Sequence, residues 1–208
     1  MKCLALFGLS GCFLFRGPDP ARCPADRTIV LASQADVTAF AICKSASSVV
    51  IRTGATLDTS PLRELVEISG DLVIGPTVGI DEIALYNLKS VGGAVKVISN
   101  GSLRGLFLPL LERAGRIDVE NNVSLTAFIV PRLHTLPGSL VVTDNYDLEM
   151  IDASQLESID NELVIDAQPK LTIVELPKLV HAASVRIDGT PKLAADIVDA
   201  LRAKAASP

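Results

Sequence analysis

The chain has 208 residues, 49% of them hydrophobic but only 4% aromatic and none of them Trp. That composition suffices for one continuous core filled by Leu, Ile and Val. A formal charge of −5 leaves no basic stripe to displace counterions from phosphate and argues against nucleic acid as a partner, and no segment approaches the roughly 20 apolar residues that span a bilayer.

In chain order, Met1-Lys2 is followed by an apolar run from Cys3 to Gly11 that ends in Leu9-Ser10-Gly11-Cys12. This tetrapeptide is similar to a bacterial lipobox, in which small residues admit the signal peptidase and the cysteine sulfur receives a diacylglyceryl group. Residues 1–11 are then a lipoprotein signal peptide, and residues 12–22, with Arg16, Gly17, Pro18 and Pro20, an anchor and tether. Two acyl chains hold a protein at a membrane where one holds it only marginally. An ordinary export signal and a cytosolic chain with a chance match remain open, because the run is short and Lys2 alone makes a thin basic region. With Cys3 lost and Cys12 lipidated, Cys23 and Cys43 remain as an even pair. They form either a disulfide, worth about 3 kcal/mol for a loop of this size, or two unpaired thiols.

Thr28–Leu31 places Ile29 and Leu31 on one side of a short strand, an incomplete first rung. Ser33-Gln34-Ala35-Asp36 has the form of a helix start, with Ser33 as N-cap and Asp36 near the positive end of the dipole. Ala35, Val37, Phe40 and Ile42 give that helix an apolar side, and it reads as a cap over the open end of a stacked array.

From Ser48 to Lys192 one aliphatic pattern recurs seven times at a spacing of 22 or 23 residues, in units that begin at Ser48, Asp71, Ala94, Arg116, Ser139, Glu162 and Ser184. The second position is always aliphatic and the fourth always β-branched. The tenth is Leu or Ile, and the eighteenth is Leu in every complete unit. A repeat of this length is one coil of a solenoid. Positions two and four point inward and positions three and five outward, as the two-residue period of a strand requires. Asn100, Asn122 and Asn145 share position seven, where stacked amides can bond the backbone of neighbouring coils as a ladder. Pro109, Pro131 and Pro177 forbid long helices on the return path, and each return ends in a Gly or Asn turn. The chain closes with Thr190-Pro191, which has the form of an N-cap and first helical residue, ahead of Leu193, Ile197, Val198 and Leu201 on one helical face. The expected fold is a mostly β, right-handed α/β solenoid of about seven rungs with a short capping helix at each end. It occupies residues 23–203 and leaves 204–208 as a tail.

Taken together, these residues resemble the receptor L domain, a leucine-rich-repeat-like module of insulin and epidermal growth factor receptor ectodomains that also occurs in bacterial secreted proteins. The start carries the most specific likeness: Cys23-Pro24, an early strand, and a short helix ending near Cys43. The repeat is similar too, in Leu108-Pro109-Leu110-Leu111 and its relatives Val130-Pro131-Arg132-Leu133 and Leu176-Pro177-Lys178-Leu179. The resemblance implies the leucine-rich-repeat-like fold, a disulfide-and-helix N-terminal cap and a binding-module habit. Ligand-contacting residues of that family occupy variable surface positions, so none carries over.

Stacking aligns the outward positions into two rows, from which Lys96, Asp118, Glu120, Val141, Thr143, Val164, Asp166, Arg186 and Asp188 form the candidate binding face. Exposed Val141 and Val164 beside carboxylates suggest a mixed apolar and acidic patch. Equally, β-branched residues simply suit strands and the charges keep the sheet soluble. Asn100-Gly101-Ser102 and Asn122-Val123-Ser124 match the glycosylation sequon but coincide with the ladder. The run Asp144 to Glu149 lacks the glycine and spacing of a calcium loop, and His134 and His181 lie too far apart for one zinc ion. No phosphate loop, nucleophile elbow or metalloprotease motif is present, so no metal or cofactor is expected. The expectation is a non-catalytic interaction module of the bacterial cell envelope. It is lipid-anchored at the outer membrane or periplasmic face, or else secreted, and it binds a protein or glycan. A structural envelope lipoprotein without a separable ligand, and a glycan or ester hydrolase using acidic residues of the strand face, are the alternatives.

Overall fold

A strand that recurs every 22 or 23 residues must turn through a full coil and return to pair with itself one rung on. A computed structural model describes residues 23–24 and 26–205, and in it the chain does this throughout. The front sheet stacks eight parallel runs: β1 (Thr28–Leu31), β3 (Ser48–Thr56), β5 (Leu72–Gly79), β7 (Ser90–Ile98), β9 (Arg113–Glu120), β12 (Leu140–Thr143), β14 (Ser158–Asp166) and β16 (His181–Ile187). Short corner strands β2 (Ser45–Ala46), β4 (Glu67–Ile68) and β11 (Thr135–Leu136) extend the same ladder one step before the front face. On the opposite side β6 (Glu82–Ala84), β8 (Gly105–Phe107), β10 (Ala127–Ile129), β13 (Met150–Asp152) and β15 (Ile173–Glu175) make a second parallel sheet. The result is a β-solenoid of about seven turns with a helix at each end, as the period predicts.

The register is the one the repeat demands. Ile29 pairs with Val49, and Val49 with Leu72; Val95, Ile117, Leu140, Leu163 and Val185 continue the column. Each complete rung makes a tight turn at its eighteenth position, and from the fourth rung on a second one at its tenth. Leu125 N–H donates to Asn122 O at 3.2 Å and Leu133 N–H to Val130 O at 3.1 Å, and equivalent bonds recur along the stack. Leu88, Leu111, Leu133, Leu156 and Leu179 are fully buried by these turns. The back sheet adds inward columns through Ile83, Leu106, Phe128 and Ile151, so one apolar core runs from Leu31 to Leu201. Where the front and corner strands meet, the coils come so close that a methyl group on Gly115 would lie 2.8 Å from Gly93 O. Glycine is needed there for close approach rather than for conformation.

Helix α1 (Gln34–Phe40) has Ser33 as N-cap: Asp36 N–H donates to Ser33 Oγ at 3.3 Å and Ser33 N–H to Asp36 Oδ2 at 2.9 Å, a reciprocal capping box. The Ser33 hydroxyl and nearby backbone N–H groups hold the Asp36 carboxyl below the usual carboxylate range. Val37 and Phe40 are buried against the first coil. Ala35 and Ile42, expected on the same apolar side, are instead exposed, because Ala35 lies on the solvent side of the first turn and Ile42 falls beyond the helix end. Cys23 and Cys43 are disulfide-bonded, with sulfurs 1.99 Å apart and Cα atoms 5.5 Å apart.

At the other end the helix begins later than Thr190-Pro191 suggests. Leu193 N–H donates to Thr190 O at 3.1 Å, the same tight turn the three preceding rungs make at their tenth position, and it buries Leu193. Helix α2 (Ala195–Arg202) therefore starts after an uncapped Ala194. It covers the last coil with Leu201 buried and Ile197 and Val198 partly buried.

Candidate functional site on the strand face

Front-sheet positions three and five present eight of the nine candidate residues in adjacent strands and in register, and Asp188 follows directly after the last strand. Lys96 stands beside Asp118, then come Val141, Val164 and Arg186. In the parallel row Glu120 stands beside Thr143, and Thr143 beside Asp166. Strand spacing of about 4.8 Å sets the step between them.

The expected exposed apolar and acidic patch takes a different form. Val164 is 4% exposed and Asp118 5% exposed. Val164 lies between Val141 and Arg186, and Arg186 Nη1 reaches Asp166 Oδ2 at 2.8 Å, carrying the arginine stem past the valine. Asp118 is enclosed because Arg116, two residues earlier and so on the same side of the strand, places its Nε 2.6 Å from Asp118 Oδ1. A buried carboxylate needs such a partner. Asp188 lies 3.9 Å from Arg202 of α2, whose guanidinium also donates to Ile187 O at 2.7 Å. Three carboxylates of the candidate face are thus matched by arginines. Lys96 and Glu120 have no salt bridge among the described residues, so its open charges sit toward the middle of the stack. Arg116 and Arg202 are additions to the expected face, although the strand period alone places Arg116 beside Asp118.

Beneath the edge of this face lies the asparagine ladder. Asn100 Nδ2 donates to Asn122 Oδ1 at 2.7 Å, and Asn122 Nδ2 donates to Asn145 Oδ1 at 2.9 Å. The backbone N–H of each also donates to the next amide oxygen, at 3.2 and 3.1 Å. Each amide nitrogen further bonds a carbonyl of the preceding rung: Ile74 O, Val97 O and Val119 O. The ladder is longer than three. Thr77 caps one end through its hydroxyl, 2.8 Å from Asn100 Oδ1. At the other end Gln168 occupies the same position, fully buried, with its Oε1 unpartnered. Asn100 and Asn122 are themselves 1% and 0% exposed, and their side-chain nitrogens are committed to the ladder rather than available to a glycan.

The turn into the ladder requires a left-handed residue just before it. Ser99, Asn121, Asp144 and Ala167 have φ of 60°, 55°, 57° and 53°, and Gly189 has 62°. This kink rotates the chain so that the following side chain points into the core instead of alternating outward.

The remaining singled-out residues are dispersed. His134 and His181 are exposed on different coils, Asp147 is paired with Lys170 at 2.7 Å, and no group of three His, Cys, Asp or Glu among the described residues is placed to hold a metal ion. Cys12, with the signal peptide and tether, lies outside the described residues. Comparison with known protein families, with curated proteins and with solved structures gives no match to this chain.

Proposed function

We propose that this chain is a non-catalytic interaction module of the receptor L-domain type, held at a bacterial cell envelope through a lipid on Cys12, and that its front strand face binds a protein or a glycan. The observation that carries the reading is the front sheet itself. It is a flat array of parallel strands whose outward side chains are fixed in register by the core behind them, with Lys96 and Glu120 left open beside the arginine-matched Asp118. A rigid surface of fixed side chains loses little entropy on association, and its unmatched charges favour a partner of complementary pattern. Glu120 and Asp166 stand two strands apart, about 9.6 Å at that strand spacing, and Asp166 is engaged by Arg186. That arrangement favours recognition over paired acid–base chemistry.

The test is capture. Full-length protein with Lys96→Glu and Glu120→Lys should keep its melting temperature yet lose the envelope protein or glycan that wild type retains. Arg132→Glu, on the return side, should retain it. Equal capture by the face variant moves the binding surface elsewhere, and no capture by wild type favours a structural envelope role.

A further inference from the structure

The residue after the ladder, at position eight of each rung, lies on the outside of the turn. Val78, Val123 and Tyr146 are 60%, 45% and 50% exposed there. Ala55 and Pro191 are exposed as well, Pro169 is partly buried, and Gly101 takes the remaining place. None of these residues is charged. The coils keep the column in step: Ser102 Oγ donates to Val78 O at 2.7 Å and Ser124 Oγ to Gly101 O at 2.8 Å. Six strand steps of about 4.8 Å make it an apolar stripe about 29 Å long. Single exposed apolar residues are ordinary, whereas a contiguous run of them marks a contact surface.

One flank of the stripe, at positions nine and eleven, carries charge whose sign reverses about the fourth rung. Asp58 and Asp81 lie on the first two rungs and Arg104 on the third; the fourth has Ser124 and Thr126. Asp147 and Glu149 follow on the fifth, then Lys170 and Lys192 on the sixth and seventh. The backbone holds position eleven in line, with Arg104 N–H donating to Asp81 O at 2.7 Å and Thr126 N–H to Arg104 O at 2.8 Å. Apart from the Asp147–Lys170 pair, none of these charges has a salt bridge among the described residues. A second copy laid antiparallel, stripe against stripe, therefore sets Asp58 against Lys192, Asp81 against Lys170, and Arg104 against Glu149. On the other flank position six holds one charge, Asp144, and the same arrangement sets it against the Ser99 hydroxyl.

Size is matched as well as charge. Antiparallel stacking about the fourth rung brings Val123 to Val123 and the Tyr146 ring to Gly101. Gly101 is not required by its own chain: its backbone is not left-handed, and a methyl group there would meet nothing nearer than 3.7 Å.

We propose that the chain forms an antiparallel two-fold dimer through this stripe, with Val123 on the axis and Tyr146 seated at Gly101 of the second copy. An isologous interface has to be self-complementary, and a pattern whose sign inverts about its own centre is so in the antiparallel order. The proposal goes beyond the binding role of the front face and does not rest on it.

Disulfide crosslinking of the full chain under mild oxidation tests it, with the unsubstituted chain as background for the native cysteines. Val180→Cys, 73% exposed and outside the stripe, measures random collision. Val123→Cys should crosslink to itself far faster than Val180→Cys. Val78→Cys and Pro169→Cys should each crosslink poorly alone and pair when mixed, because the second rung faces the sixth. In the Val123→Cys chain, Gly101→Phe should slow crosslinking about tenfold or more while the melt stays cooperative, and so should Lys170→Glu with Lys192→Glu at low salt. Adding Asp58→Lys and Asp81→Lys to the second variant should restore the rate. Crosslinking of Val123→Cys no faster than collision overturns the dimer. Self-crosslinking of Val78→Cys as fast as that of Val123→Cys overturns the antiparallel order, as does a folded four-charge variant that stays slow.

Discussion

Two adjacent asparagines show how far one position in the repeat governs a residue's role. Asn121 is exposed and left-handed, bonding only the Ser99 hydroxyl at 3.4 Å through its side chain. Asn122 is fully buried and joins four partners of two neighbouring rungs and the ladder. Removing the Asn122 side chain strips Asn100 N–H and Val97 O of these bonds inside the core, where each unsatisfied polar group costs about 1–3 kcal/mol. Asn122→Ala should therefore destabilise by about 3–5 kcal/mol in urea titration. Asn121→Gly should change stability by less than about 1 kcal/mol, because glycine relieves the left-handed strain while adding unfolded-state entropy. Equal losses in the two variants would mean that the ladder carries no special weight. The Asn positions are legible as a column from spacing alone. Thr77 and Gln168 share that column but escape a search for Asn, although the period marks them equally. The left-handed Ser99, Asp144 and Ala167 leave no trace in sequence, since none is the glycine that usually announces such a conformation.

At the scale of the element, what sequence resolves is the inward column. Positions two, four, ten and eighteen all run through the core, because the strand and the turns of each coil leave no freedom over which way those side chains face. Ala114, Ala153 and Ala182 also line the core; as alanines they carry little hydrophobic signal, which makes the corner and back columns harder to read than the leucines. The face pointing to solvent is less legible for a different reason. Outward valines and carboxylates look alike in sequence whether bare or covered, and coverage depends on which arginine, on the same strand or a neighbouring rung, folds across them. The register itself can be tested. Leu133 is fully buried between coils, so Leu133→Asp would place an uncompensated carboxylate there and should abolish cooperative folding, a loss of several kcal/mol. Lys96→Ala, on the outward row, should shift the thermal midpoint by no more than about 2–4 °C. Similar melting of the two variants would contradict the inward assignment of position eighteen.

For the whole molecule, a solenoid is stable only if both end coils are covered, and the two ends are closed in different ways. The C-terminal coil is covered by α2 through Leu201 and the partly buried Ile197 and Val198, with Arg202 reaching back to Ile187 O. The N-terminal coil is covered by α1, which is tied down by the Cys23–Cys43 disulfide and by the Gln34–Asp58 backbone bonds. The proposed address outside the cytoplasm and this bond support one another, because disulfides persist in oxidising compartments. Reduction should lower stability by about 3 kcal/mol, the entropy of a closed loop of about 20 residues, and Cys23→Ser with Cys43→Ser should reproduce that loss without reducing agent. The anchor is tested separately, in cells expressing the full chain with a labelled fatty acid. Wild type should carry label and partition with membranes, while Cys12→Ser should lose the label and remain folded, since residue 12 precedes the solenoid. Label retained by Cys12→Ser would dismiss the lipid at that cysteine. An intact disulfide in unlabelled protein would point instead to an exported chain without an anchor, and free thiols at Cys23 and Cys43 in native protein would remove the support for export altogether.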